Sequence, residues 1–122
     1  MKACLRIRVD FEEGTILSPG KVRLFEMVDQ RGSIEEAAST IHMQPALARR
    51  VISRLEGLFG GALVERASNG AGVQCWRLTA LGRKVVERYR ETERASALAA
   101  DQLLSELTSL APDRQRSEAS AT

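Results

Sequence analysis

From Gln44 to Arg54 the chain reads Gln44-Pro45-Ala46-Leu47-Ala48-Arg49-Arg50-Val51-Ile52-Ser53-Arg54, and its three arginines are the densest chemistry in the sequence. A guanidinium is permanently charged and presents its donors in a planar fork, which suits the paired acceptors of a phosphate or a guanine edge. Ala48, Ile52, Leu55 and Phe59 recur at helical spacing and predict an inward apolar stripe. Ala46, Arg50 and Ser53 then point the opposite way, flanked by Arg49 and Arg54, with no acid before Glu56. Any surface helix has a polar outer face. An outer face of arginines and small residues is a narrower pattern, because it tolerates close approach to a polyanion.

These residues need elements to present them. Upstream stands Gly32-Ser33-Ile34-Glu35-Glu36-Ala37-Ala38, in which Ser33 can cap a helix and Glu36, three residues on, completes a capping box. Ala37 and Ala38 are small enough for two helices to approach closely, and Pro45 suits a first helical turn. Cap, alanine pair, turn, proline and arginine-bearing helix, in that order, describe a helix-turn-helix whose second helix is offered to the major groove of double-stranded DNA. Ser33, Gln44, Ala46, Leu47, Arg49, Arg50, Ser53 and Arg54 are the expected contacts from this part, with Arg49, Arg50 and Ser53 at base edges. Gly60-Gly61 end the helix, and residues 63–66 and 74–78 read as strands around a loop at 67–73. Such a hairpin is a wing, from which Arg66, Ser68, Asn69 and Arg77 are expected to touch backbone or minor groove. The plainer alternative is a structural hairpin whose glycines only shape its turn. Trp76 and Leu78 are assigned to the core.

Before this motif, Leu5, Ile7, Val9 and Phe11 alternate with Arg6, Arg8, Asp10 and Glu12, the period of a half-buried strand. Ser18-Pro19-Gly20 opens a helix whose apolar face is Val22, Leu24, Phe25, Met27 and Val28, and Gly32 closes it. After the wing, Thr79 caps a long helix reaching about Leu110. Leu81, Val85, Tyr89, Leu98, Leu103, Leu104 and Leu107 are more apolar positions than a small monomer can leave on an exposed arm, so this helix is expected to build a homodimer. The expected organisation is a winged helix-turn-helix with its N-terminal strand over 1–78, a dimerisation helix over 79–110 and a disordered tail over 111–122. The fold class is mainly α with a small β-sheet.

Composition narrows the function. The net charge is only +2, but residues 44–90 hold 9 Lys/Arg against 3 Asp/Glu, while the segments on either side are net acidic. Localised positive charge of this kind is the footprint of a phosphate-binding face. No apolar run approaches a membrane span, and the first residues do not read as a signal peptide, so the cytoplasm is the expected location. Cys4 and Cys75, both expected on strands, are too few and too far apart for a zinc site or a disulfide framework, and reduced thiols are expected. His42 is the sole histidine and sits in the inter-helix turn with no nucleophile or carboxylate pair spaced around it, which argues against an enzyme. Neither a metal site nor a cofactor is expected, and no residue set specifies a small-molecule effector.

Four segments carry a family resemblance: Leu17-Ser18-Pro19-Gly20-Lys21-Val22, Gly32-Ser33-Ile34-Glu35-Glu36-Ala37-Ala38, Leu58-Phe59-Gly60-Gly61-Ala62-Leu63-Val64-Glu65-Arg66 and Leu78-Thr79-Ala80-Leu81-Gly82-Arg83. Over roughly residues 17–90 the chain resembles the DNA-binding domain of molybdate-responsive (ModE-type) regulators, with LysR-type regulators as close cousins. The resemblance implies a winged helix-turn-helix and sequence-specific transcriptional regulation. It departs in the second helix, where Gln44-Pro45 and Arg49 replace the Ser-Tyr and tryptophan usual in the molybdate type, and in a wing without a long glycine run. Gln44-Pro45-Ala46-Leu47 is closer to the LysR type. The oxyanion-sensing domain of the molybdate type is expected to be lacking. The alternative reading is a winged helix used for protein contact, pairing with a full-length paralogue through the long helix.

Overall fold

The computed structural model describes residues 2–112. The chain forms β1 (Val9–Asp10), a 3₁₀ turn (Glu12–Gly14), β2 (Ile16–Leu17), α1 (Pro19–Arg31), α2 (Ile34–Thr40), α3 (Pro45–Phe59), β3 (Val64–Ser68), β4 (Gln74–Leu78) and α4 (Ala80–Leu110). It divides into a unit of residues 7–90 and a second unit made of residues 1–6 with 91–122.

Short-range chemistry sets the helix ends in the first unit. Ser18, Ser33 and Thr79 each place a hydroxyl on a backbone N–H three residues ahead, at Lys21 (3.4 Å), Glu36 (3.2 Å) and Gly82 (3.0 Å). These bonds satisfy amides that a helix start leaves unpaired. The Ser33 hydroxyl itself donates to the Glu35 carboxylate at 3.4 Å, a contact that the sequence pattern, which looked to Glu36, did not anticipate. Gly32 and Gly60 stop α1 and α3 in the left-handed conformation, φ 73° and 74°, which only glycine adopts without a Cβ penalty.

The core of this unit is the packed meeting of α1, α2 and α3. Val22, Leu24, Phe25 and Val28 of α1 and Ala37 and Ala38 of α2 are buried, and so are Ala48, Val51, Ile52 and Leu55 of α3. Val51 was absent from the predicted stripe; it widens the buried face of α3, while Phe59 at its end is only half-buried. Between α2 and α3 the chain turns at His42, whose φ of 57° is left-handed. The Met43 amide then returns to the Ala38 carbonyl at 2.8 Å, and this fixes the angle at which α3 leaves.

The N-terminal strand is shorter than its alternation predicts. Burial does alternate through Phe11, but ladder pairing is limited to Val9 with Leu17 and Asp10 with Ile16. The hairpin is held instead by side chains: the Phe11 ring meets Phe59 edge to face at 5.7 Å, and the Tyr89 hydroxyl donates to the Ile7 carbonyl at 2.7 Å. Cys4 therefore lies outside any strand and is exposed, whereas Cys75 is on β4 and half-buried; both are free. β3 and β4 pair antiparallel from Val64–Leu78 to Ser68–Gln74, so the loop is 69–73, shorter than expected. In the second unit, residues 91–110 continue α4, with Leu98, Leu103, Leu107 and Leu110 exposed and Leu104 half-buried. Of the tail expected at 111–122, residues 113–122 lie outside the described residues.

Gly82 shows how tightly the start of α4 seats on the wing. A Cβ there would stand 2.1 Å from the Leu63 carbonyl oxygen, a backbone atom that cannot swing aside. Gly82→Ala is expected to destabilise the protein by about 3 kcal/mol or more, at or beyond the upper end of ordinary overpacking. Urea unfolding followed by far-ultraviolet circular dichroism measures it, and a change below 1 kcal/mol would show that the contact relaxes freely.

Candidate nucleic-acid interface

The structure places the outward residues of α3 as its apolar stripe requires. Ala46, Leu47, Arg49, Arg50, Ser53 and Arg54 are exposed, as is Gln44 just ahead of the helix, and Ser33 is half-buried at the start of α2. The outer surface of α3 has two flanks. One lines an open groove of ≈730 Å³ in which Leu47, Arg50, Ser53 and Arg54 face Lys21 of α1 and the Gly14–Thr15 turn. The other looks toward the wing, where Arg49 and Ser53 share a shallow depression of ≈340 Å³ with Val64 and Trp76.

The flanks differ in electrostatics. Toward the wing, Arg49 is ion-paired with Glu35 of α2, and Arg77 of β4 with Glu65 of β3 at 3.0 Å. The Arg66 guanidinium lies over the indole of Trp76, 5.8 Å from the ring centre, a cross-strand cation–π contact. On the groove flank, Arg50 and Arg54 form no ion pair among the described residues. Lys21 donates its ammonium to the Ile16 carbonyl at 2.9 Å, which orients the charge without cancelling it.

All of the predicted wing contacts are exposed, and each also has work inside the protein. The Asn69 carboxamide oxygen accepts from the amides of Ala71 and Val73 at 2.8 and 3.0 Å, closing the tip of the hairpin. The Ser68 hydroxyl accepts from Gln74 at 3.0 Å. The structural alternative for this hairpin looked to its glycines, and the side chains of Ser68 and Asn69 take part in building the loop as well. Sequence reading missed Lys21. A cation in the first turn of a helix opposes the macrodipole, and that misplaced charge was the available signal.

Three of the residues expected at a dimer interface are covered within their own unit. Tyr89 is 3% exposed, and Leu81 and Val85 pack on the same core. Leu98, Leu103 and Leu107 are 80%, 66% and 63% exposed.

Residues 20–83 match the family model described as bacterial regulatory helix-turn-helix protein, lysR family. The chain belongs to that family. Its winged helix-turn-helix is the family's DNA-binding domain. Among curated proteins the chain is similar to the molybdenum transport protein ModE of Azotobacter vinelandii, 35% identical over 95 residues. The match covers 76% of this chain and 35% of ModE, so the chain spans about a third of that relative's length. Among solved structures it is similar in fold to the CbnR DBD–DNA complex, with a TM-score of 0.54 and 24% identity, covering 71% of this chain and 94% of that one. ArgP from Mycobacterium tuberculosis gives a TM-score of 0.51 at 24% identity, with 75% and 31% covered. Among the described residues no helix is long and apolar enough to cross a membrane.

Removing the Asn69 side-chain cap tests its structural role. Asn69→Ala is expected to leave β3 and β4 paired but to speed amide exchange at Ala71 and Val73 by about fivefold, the loss of roughly 1 kcal/mol per bond. Unchanged exchange at both amides would show that the loop holds itself without the cap.

Proposed function

We propose that this protein is a sequence-specific DNA-binding transcriptional regulator that works in the cytoplasm and lays α3 in the major groove. One observation carries the reading: the exposed face of α3 offers Arg50, Ser53 and Arg54, with both guanidiniums uncommitted to any acid among the described residues, on a three-helix core. Arginine reaches guanine O6 and N7 in bidentate fashion. Leu47, 43% exposed, provides an apolar surface for a thymine methyl. Gln44 and Ala46 stand at the N-terminal end of α3, the end that a recognition helix brings to base edges. Arg66, Ser68, Asn69 and Arg77 shape the wing first and accompany the DNA backbone second.

Binding to DNA is expected to fall steeply with salt, because each neutralised phosphate releases counterions and contributes about −0.9 to the slope of log K against log salt. Arg50→Ala is expected to cost about 1–3 kcal/mol at the cognate site and little on random duplex. Fluorescence anisotropy on both duplexes measures the two terms. Equal losses on both would make Arg50 a phosphate contact, and no salt-dependent binding by the unaltered protein would overturn the DNA reading itself.

We also propose that the protein acts as a homodimer through residues 91–110 of α4. Leu98, Leu103, Leu107 and Leu110 present apolar surface that a monomer would leave in water, and full burial of each is worth about 1.5–3 kcal/mol. A two-fold pair would present two recognition helices about one DNA turn apart and would require a palindromic site. Leu103→Asp with Leu107→Asp is expected to convert the dimer to a monomer in sedimentation analysis while helicity is kept. A doubly substituted protein that still sediments as a dimer would place the interface elsewhere.

A further inference from the structure

The two flanks of α3 are unequal, and this inequality assigns roles that the bare count of basic residues does not. The groove flank holds Lys21, Arg50 and Arg54 and, among the described residues lining it, no carboxylate. On the wing flank each arginine at the surface has a partner. Arg49 is paired with Glu35, Arg77 with Glu65, and Arg66 lies on Trp76. Glu35 is also held from behind, since the Ser33 hydroxyl donates to its second carboxylate oxygen. Ser33, Glu35 and Arg49 thus form a short chain that runs from the cap of α2 to the face of α3.

We propose that Glu35 and Glu65 are specificity-determining residues that hold down non-specific affinity, and that Lys21 and Arg54 form the track on which a duplex phosphate backbone is anchored, leaving Arg50 for base edges. The proposal rests on the DNA-binding reading above and adds to it which cations do the electrostatic work. An arginine already facing a carboxylate releases fewer counterions when a phosphate arrives, because the approaching anion must displace or tolerate the resident one. The Arg49–Glu35 and Arg77–Glu65 pairs are exposed on both sides, 56%/55% and 51%/43%. Exposed pairs contribute little to folding, so their consequence lies at the DNA surface. The Glu35 carboxylate beside the helix that reads bases and the Glu65 carboxylate on the wing penalise every duplex alike, and the base contacts of the cognate site must overcome that penalty. Lys21 differs because its partner is a neutral carbonyl, and its full charge stays available at the groove.

The test measures salt slopes on a random-sequence duplex and on the cognate site between about 50 and 200 mM salt. Glu35→Gln and Glu65→Gln keep the side-chain shape and remove one negative charge each. Each is expected to tighten binding to the random duplex severalfold, to steepen its slope by about 0.9, and to lower the ratio of cognate to random affinity. Lys21→Ala is expected to make both slopes shallower by about 0.9, with recovery in Lys21→Arg. Asp101→Asn, which removes the same charge from the exposed surface of α4, serves as the control for net charge and is expected to leave both slopes unchanged. Thermal melts establish that each variant is folded; the glutamates are surface residues, and their substitutions keep all buried contacts. If Glu35→Gln and Glu65→Gln leave the slope of a DNA-binding protein unaltered, or weaken binding to random duplex, the restraining role is overturned while the DNA reading stands. If Asp101→Asn steepens the slope as much as they do, the effect is one of net charge and the assignment to these two residues fails. If the unaltered protein shows no salt-dependent binding, both readings fall together.

Discussion

The first unit is organised around one backbone position, Leu63, at the junction of the recognition helix and the wing. Its side chain is fully buried. Its amide donates to the Glu56 carboxylate in the last turn of α3 at 2.9 Å, and its carbonyl accepts from the Thr79 amide at 3.0 Å. The Thr79 hydroxyl reaches the neighbouring Ala62 carbonyl at 2.6 Å and also caps α4 at Gly82. The end of α3, the start of β3 and the first turn of α4 are therefore bonded to one another within two residues. A shift of any of them would leave a buried amide or carbonyl without a partner, and that costs more than the bond itself contributes. The wing is tied a second time on its other strand, where the Leu78 amide donates to Asp29 at 3.0 Å and the Trp76 amide to the Gly32 carbonyl at 2.8 Å. Recognition helix and wing are consequently presented as one rigid surface, which is what a constellation of contacts to a stiff duplex requires.

Rigidity alone does not decide where a polyanion is attracted. Residues 44–90 carry nine basic side chains, and counted along the chain they form one positive block. Arranged in space, five of them separate into a groove side where Arg50 and Arg54 have no ion pair among the described residues, and a wing side where Arg49, Arg77 and Arg66 meet Glu35, Glu65 and an indole ring. Further back, Arg83 stands 4.0 Å from Asp29, and Arg90 is bound to Glu26 at 2.6 Å with both side chains 29% exposed. Charge that looks available in a linear count is therefore partly used in holding α4 to α1. The electrostatic surface is narrower than the composition suggests, and Lys21, a residue from outside the positive block, belongs to it.

The features legible in the sequence are those whose physics is local. The caps at Ser18, Ser33 and Thr79 act over three residues, the left-handed stops at Gly32 and Gly60 act at a single residue, and the stripe of α3 repeats within one element. The order of these elements is enough to give a winged helix-turn-helix, and the outward set on α3 follows from the stripe opposite. What the sequence hid are contacts between distant positions: Ile7 with Tyr89, Glu26 with Arg90 and Asp29 with Leu78, separated by 82, 64 and 49 residues. No periodicity reports such pairings. For the same reason the strand at Val9–Asp10 was overextended, since alternation measures burial and not whether a neighbouring strand is long enough to pair. The wing is ambiguous for a third reason. Arg66, Ser68, Asn69 and Arg77 have the types expected of DNA contacts, and those same types also close a hairpin.

The long helix makes the same point along its own length. Its first part is part of the winged-helix core: Gly82 rests on Leu63, Leu81 and Val85 pack inward, and Tyr89 seals the N-terminal hairpin through Ile7. Beyond Arg90 the character of the apolar positions changes, and Leu98, Leu103, Leu107 and Leu110 stand in solvent. The set Leu81, Val85, Tyr89, Leu98, Leu103, Leu104 and Leu107 thus spans two different environments. A helix that finishes a domain does so near its start, where the domain is, and its apolar positions are left exposed past the last residue that the domain covers. Tyr89 is that residue, buried at its ring and bonded at its hydroxyl. The division of labour along α4 therefore follows from the size of the winged-helix core itself, which can cover about three turns of a helix and no more.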